Sequence, residues 1–233
     1  MRGRWSKDRR PSCFVYLDDL HRGCCPVQML CSLANPMSAA RKFATYDDLK
    51  CLSEDIHAEI ISGSIVTMPS PRPRHSNVQG SLRRHIGGPF HDDDGFGGPG
   101  GWWIFTDVDV EFGPHDVVRP DVVGVRRERL VHPDVLPLPI VPDWICEVLS
   151  PSNESHDRVT KKNLYARHGV RHYWIVDPAI RILEAFELRN GLWVNIGSYD
   201  ENDTPRIAPF EAVELTIARM FLPRPTAAEK NEG

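Results

Sequence analysis

The chain has 233 residues, with 28 Lys+Arg against 32 Asp+Glu, a formal net charge of −4, 41% hydrophobic and 26% charged residues. These values exclude a disordered polyelectrolyte, and with a mean hydropathy of −0.36 they argue against an integral membrane protein. On average they also argue against a strongly basic nucleic-acid binder.

The first 36 residues differ from the rest. They hold six of the basic and three of the acidic residues and show no sustained helical or strand period, which leaves 22 basic and 29 acidic residues and a charge of −7 elsewhere. Met37 is expected to be the natural start, with residues 1–36 a leader or gene-start artefact. A basic N-terminus with no apolar run behind it makes a poor secretory signal. The six cysteines form no CxxC pair, so reduced thiols in a cytoplasmic protein fit better than a zinc ribbon or a disulfide framework. Residues 37–223 are expected to form one domain and 224–233 a flexible tail.

Thr45-Tyr-Asp-Asp48 reads as a capping box opening a helix over 45–54. Residues 58–67 read as two β-rich runs around Ser62-Gly63, a hairpin. After the Pro69–Pro73 break, Val78, Leu82 and Ile86 recur every four residues and predict a helix over 74–87. A glycine-rich loop follows over 87–101. Trp102–Phe112 alternates apolar with polar and predicts one strand with Asp107, Asp109 and Glu111 on one face. Strands are predicted at 121–125, 144–149 and 172–177, a helix at 155–168, and a hairpin of 182–188 with 192–199 around Asn190-Gly191. No internal repeat is present. This order predicts a single α/β domain with a mixed central β-sheet flanked by helices.

Glu147 is the sharpest anomaly. A carboxylate among Trp144, Ile145, Val148 and Leu149 is expensive to bury without a metal, a cationic partner or a proton-transfer role. The plain alternative is a strand with Glu147 on its wet face. Asp121 heads a strand behind Pro120, and two carboxylates on neighbouring strands are hard oxygen ligands suited to Mg²⁺ or Mn²⁺. On the 155–168 helix, at about 100° per residue, Lys161 lies about 40° and Tyr165 about 80° from Asp157. Lys161 therefore shares the packing face, unless it only makes an i, i+4 pair with Asp157. Glu59 is a lone acid at the start of the first hairpin. Arg72, Arg74, Arg83 and Arg84 lie with three histidines in residues 60–91, a stretch with no acid. Such a helix could face a phosphate backbone or simply be solvated. The 87–101 loop lacks P-loop and EF-hand spacing, and Ser150 and Ser152 lack the glycines of a nucleophile elbow.

Taken together, Ala58-Glu-Ile-Ile-Ser-Gly-Ser-Ile-Val, Pro71-Arg-Pro-Arg-His75, Arg119-Pro-Asp121 and Cys146-Glu-Val-Leu-Ser-Pro-Ser152 resemble the Uma-type restriction endonucleases. So do Asp157 to Lys161, Tyr165-Ala-Arg-His-Gly-Val170 and Tyr173-Trp-Ile-Val-Asp-Pro178. The resemblance spans about residues 43–222 and implies a restriction-endonuclease-like fold of the PD-(D/E)XK superfamily. It implies that Asp121 and Glu147 bind a divalent metal, with Glu59 as a further ligand, and that Lys161 is the catalytic lysine. The superfamily places that lysine two residues after the second acid, where this chain has Leu149. His75 matches a histidine often seen in the family. The implied activity is Mg²⁺-dependent endonuclease cleavage of DNA, with Mn²⁺ as a substitute cofactor and a homodimer as a possible form. The alternative is a non-catalytic nucleic-acid-binding or protein-interaction module on the same fold.

Overall fold

A computed structural model of the chain describes residues 43–53, 55–92, 98–151 and 153–224. The expected leader at 1–36, the start at Met37, the middle of the glycine-rich loop and residues 225–233 lie outside the described residues. No helix among the described residues is long and apolar enough to cross a membrane.

Two sheets carry the fold. The smaller has the order β2-β1-β5-β4, from β1 (Ala58–Ile61), β2 (Ser64–Thr67), β4 (Val110–Gly113) and β5 (Asp116–Val118). The larger has the order β10-β9-β8-β7-β6-β3, from β3 (Trp102–Thr106), β6 (Val122–Arg126), β7 (Trp144–Val148), β8 (His172–Asp177), β9 (Ile182–Arg189) and β10 (Leu192–Tyr199). Among the ten strands of the described residues only β7 and β8 pair in parallel, every other strand neighbour being antiparallel, and Val110 makes an isolated parallel bridge to Leu138. A parallel pair needs a long crossover. Here a helical segment supplies it, running through a π-type stretch His156–Lys161 into α4 (Lys162–Arg167).

Both predicted hairpins form. Ser62 and Gly63 at φ 50° and 74°, and Asn190 and Gly191 at φ 51° and 77°, close them with two-residue turns. Positive φ at both central positions is the hairpin turn that matches strand twist, and Asn-Gly is its preferred pair. The opening helix is shorter than predicted: α1 is Tyr46–Lys50, with the Asp48 carboxylate accepting the Thr45 backbone N–H at 2.8 Å. The next helix, α2 (Pro73–Leu82), continues through a π-type turn at Arg83–Gly87 into the short α3 (Gly88–Phe90).

The long strand predicted over 102–112 does not form. Asp107 takes φ 54°, which ends β3, and Val110–Gly113 pairs in the other sheet. Asp107, Asp109 and Glu111 therefore do not share one strand face. Asp107 accepts Gln79 Nε2 at 2.8 Å, and Asp109 is buried against Arg119 at 2.8 Å.

The large sheet separates two apolar layers. Trp144, Cys146, Val148, Trp174 and Val176 pack against Val78, Leu82 and Ile86 and against the C-terminal residues Phe210, Ile217 and Met220. Ile145, Leu149, Tyr173 and Ile175 face Leu164 and Tyr165 and the smaller sheet's Val110 and Val118. By alternation Glu147 falls on this second face, beneath the 156–167 helix.

Candidate active site

Strand register brings the acid pair together. Val122 pairs with Cys146 in the antiparallel β6–β7 ladder, so Asp121 sits one position further out, beside Glu147. The Asp121 backbone N–H points to Glu147 Oε2 at 3.3 Å, and the Val148 N–H donates to Asp121 Oδ2 at 2.7 Å. Each acid is thus held by the other's strand. His75, on the first turn of α2, reaches Asp121 Oδ2 through Nε2 at 3.1 Å. Asp121 keeps about 16% of its side chain exposed, whereas Glu147 keeps 2%. Asp121 is therefore the open edge of the site and Glu147 its buried floor.

A lysine enters the cluster from the helix. Lys161 is 2% exposed, and its Nζ lies 2.8 Å from Glu59 Oε1, 3.2 Å from Glu147 Oε1 and 3.7 Å from Asp157 Oδ1. The i, i+4 pair with Asp157 exists too, so the inward lysine and the helix pair are one arrangement. Glu59 reaches the cluster from β1 and also accepts the Arg119 backbone N–H at 2.9 Å. Tyr165 donates to Glu147 Oε1 at 2.5 Å, and Tyr173 donates to the Asp157 carbonyl at 3.1 Å. Asp157, Tyr165 and His156 are additions that sequence reasoning did not place in the site. Their signal was the four-residue spacing of Asp157, Lys161 and Tyr165, which also describes ordinary helix packing.

The charge balance is unequal: three carboxylates, Glu59, Glu147 and Asp157, surround one ammonium, and a fourth, Asp121, stands beside Glu147. Burial pushes the Glu147 carboxyl well above the usual range; Lys161 opposes this, while Asp157, Asp121 and Glu59 add to it. Burial likewise lifts Asp157, to about 6, against the pull of Lys161. Burial also works against charge on Glu59, but Lys161, His156 and the Arg119 N–H outweigh it and hold that carboxyl low. Lys161 is disfavoured by burial, yet Glu147, Glu59 and Asp157 keep its ammonium well above the ordinary lysine range. His75 is raised: burial lowers it, and Asp121 more than compensates.

The donor chemistry suits a hard divalent cation. Glu59 Oε2 and Asp157 Oδ1 are buried without a hydrogen-bond partner. Such oxygens need compensation. Among the described residues, no three His, Cys, Asp or Glu side chains are arranged so that they could hold a metal ion together. A two-carboxylate site remains open to Mg²⁺, which commonly takes one or two protein carboxylates and completes its shell with water and substrate phosphate.

The four arginines of the acid-free stretch do not act alike. Arg72, Arg74 and Arg84 are exposed, and the first two lie three residues and one residue before His75. Arg83 is tied to Asp92 at 3.1 Å. The basic residues over 158–167 are largely consumed. Arg158 holds Glu154 and Glu184, Lys162 lies 3.4 Å over the Phe186 ring, and Arg167 holds Asp116.

A family model described as Uma2, putative restriction endonuclease, matches residues 43–218. This chain belongs to the Uma2 family. The match takes in every residue of the cluster, from Glu59 to Tyr165. A solved structure of a putative nuclease from Anabaena variabilis is similar to this Uma2 chain, with 24% identity and a TM-score of 0.59. That similarity covers 76% of this chain and 97% of that one, and it extends the fold. A cryo-EM structure of a DrdV–DNA complex shares 21% identity over 44% of this chain and 8% of that one, with a TM-score of 0.27. No curated protein matches.

Proposed function

We propose that this chain is an endonuclease that hydrolyses DNA phosphodiester bonds with Mg²⁺, Mn²⁺ being able to substitute. The observation that carries the reading is the buried constellation itself. Asp121 and Glu147 stand side by side on neighbouring strands, and the Lys161 ammonium lies 3.2 Å from Glu147 inside the family-matched region.

Asp121 and Glu147 are the residues that would hold the metal, with Glu59 behind them. The ion's contribution is Lewis acidity, which polarises the phosphate and makes a nearby water more acidic. Lys161 keeps its proton under three carboxylates and presents fixed positive charge to the negative charge that grows on the phosphate oxygens. Tyr165 fixes one oxygen of Glu147, and His75 fixes one oxygen of Asp121, so neither acid swings as substrate enters. Exposed Arg72 and Arg74 supply backbone attraction beside the open edge. DNA is the partner, the cytoplasm the compartment, and a homodimer the form in which one duplex would meet two such sites.

The test is plasmid cleavage with Mg²⁺ and with Mn²⁺, beside single-stranded DNA and RNA. Asp121→Ala and Glu147→Ala should each lower cleavage by more than about 100-fold, since even outer-shell partners of a metal are worth about 10- to 100-fold. Full cleavage by both purified variants rejects the assignment.

A second reading, a non-catalytic module on the same fold, is favoured by the ammonium standing among Glu59, Glu147 and Asp157 without a three-donor group. Calorimetry separates the two. The nuclease takes up Mg²⁺ or Mn²⁺ with heat that disappears in Glu147→Ala, and the module does not.

A further inference from the structure

A second concentration of charge lies at the opposite end of the large sheet. Gly124 pairs with Trp144, Trp144 with His172, and His172 with Glu187, so β6 to β9 end together there. Glu147 lies three residues further along β7, opposite Ile175. At this far end a cavity of about 510 Å³ opens, within the size range of small-molecule sites.

Four arginines line it: Arg126 from β6, Arg171 just before β8, Arg189 from β9, and Arg206 from the C-terminal segment. Glu187 and Glu211 are the acids of its wall, which leaves a surplus of two positive charges. Two of the arginines are already engaged. Arg189 binds Glu187 at 2.7 and 2.9 Å, and Arg206 donates to the Glu211 and Ala212 carbonyls at 3.1 and 2.9 Å. The other two make no salt bridge among the described residues. Arg126 Cζ lies over Trp102, 4.0 Å from the ring centre, and Arg171 stands near enough to Glu187 to help Arg189 hold that carboxyl low without a salt bridge to it. His172 lines the same cavity, is 7% exposed, and has a buried Nδ1 with no hydrogen-bond partner. A buried polar atom of this kind needs a partner, which a water or a bound group in the cavity can supply. Ile196, Tyr199, Ile207 and Pro209 give the remaining wall an apolar character.

We propose that this cavity binds the phosphate of a nucleotide, held by Arg126, Arg171 and His172, with the apolar wall receiving the rest of the molecule. A guanidinium held over an indole keeps N–H donors for other acceptors, and its fork matches phosphate oxygens. A phosphate monoester carries about −1.5 to −2 near neutral pH, close to the cavity's surplus. The phosphate could come from a free nucleotide or from a nucleic-acid strand, and the site is independent of the acid cluster.

Calorimetric titration of the full chain with inorganic phosphate, adenosine monophosphate and a short DNA duplex tests this. The expected result is saturable binding of the monophosphate, weakened about tenfold or more in Arg171→Glu and in Arg126→Gln, and unchanged in Glu147→Ala. Binding of the duplex alone, lost in the same two variants, assigns the phosphate to a nucleic-acid strand. Thermal melts show whether each variant is folded, and Arg171 is exposed on a turn, so its replacement leaves the core untouched. The proposal is overturned if none of the three probes binds the wild-type chain, or if both folded arginine variants bind as the wild type does.

Discussion

The two ends of the large sheet solve opposite electrostatic problems. At one end three carboxylates gather around a single ammonium in a nearly dry space; at the other, four arginines face two glutamates across an open cavity. The acid end is compressed: Glu59, Glu147, Asp157 and Lys161 are each about 2% exposed or less, so each charge is felt at full strength by its neighbours. The arginine end is wet, and its charges can wait in solvent at little cost. The difference teaches where a ligand matters for the fold itself. A cation at the acid end would relieve strain that the folded state already carries, whereas an anion at the arginine end would add binding without being needed for folding.

The sharpest way to break that contrast is to remove the ammonium. Lys161→Met leaves buried carboxylates with no cation, and deleting one partner of a buried ion cluster costs about 3–5 kcal/mol. Urea denaturation at pH 8 should show a loss of that size. The loss should shrink toward pH 5, because protonated acids no longer repel. Arg171→Glu at the other end should change stability by less than about 0.5 kcal/mol, as surface substitutions do. Comparable losses at the two ends would dissolve the contrast.

Next in size is Asp157. Its folded pKa of about 6 lies above the ordinary 3.8. A raised acid favours the folded state only while protonated, so its cost is absent below about pH 4, grows as pH rises, and is complete above about pH 6. Some two pKa units correspond to about 3 kcal/mol. Asp157→Asn should therefore be more stable than the wild type at pH 8, equal to it near pH 4, and without the decline between. If Mg²⁺ enters the cluster, adding it should narrow the gap at pH 8. A variant less stable than the wild type at pH 8 would show that Asp157 is needed to satisfy Lys161 and is not a surplus charge.

The sequence exposes these two ends unequally. Glu147 was readable because it interrupts an apolar run, and Asp121 because it heads a strand behind Pro120. Lys161 was readable from the helical period alone, as a lysine on the packing face. Asp157 was not, since an Asp and a Lys four apart look the same on a solvated helix as in a buried cluster. The break at Asp107 was hidden because strand alternation continues across it, and only the turn of the backbone sends Val110 to the other sheet. β5, three residues long, carries too little period to see. The arginine cavity was invisible for a different reason. Arg126, Arg171, Arg189 and Arg206 are scattered over 81 positions and meet only through the register of four strands and a returning C-terminal segment.

The smallest expected effect concerns the arginines of α2 and separates charge that is available from charge already used. Arg72 and Arg74 are exposed and precede the histidine that touches Asp121, while Arg83 is held by Asp92. If the acid end receives a nucleic-acid backbone, only the free pair should contribute counterion release. The double variant Arg72→Ala/Arg74→Ala should then make the slope of log K against log salt shallower by about 1–2, since each phosphate contact is worth about 0.9 of slope. Arg83→Ala should leave the slope unchanged, because its guanidinium already has a carboxylate and losing an exposed pair costs less than about 1 kcal/mol. Fluorescence anisotropy of a labelled duplex between about 50 and 200 mM salt, without divalent metal so that no strand is cut, measures both. Equal changes from Arg83 and from the pair would mean that net charge alone attracts the duplex. A changed slope for the pair alone would place the backbone along the first turn of α2, where the open edge of the acid site begins.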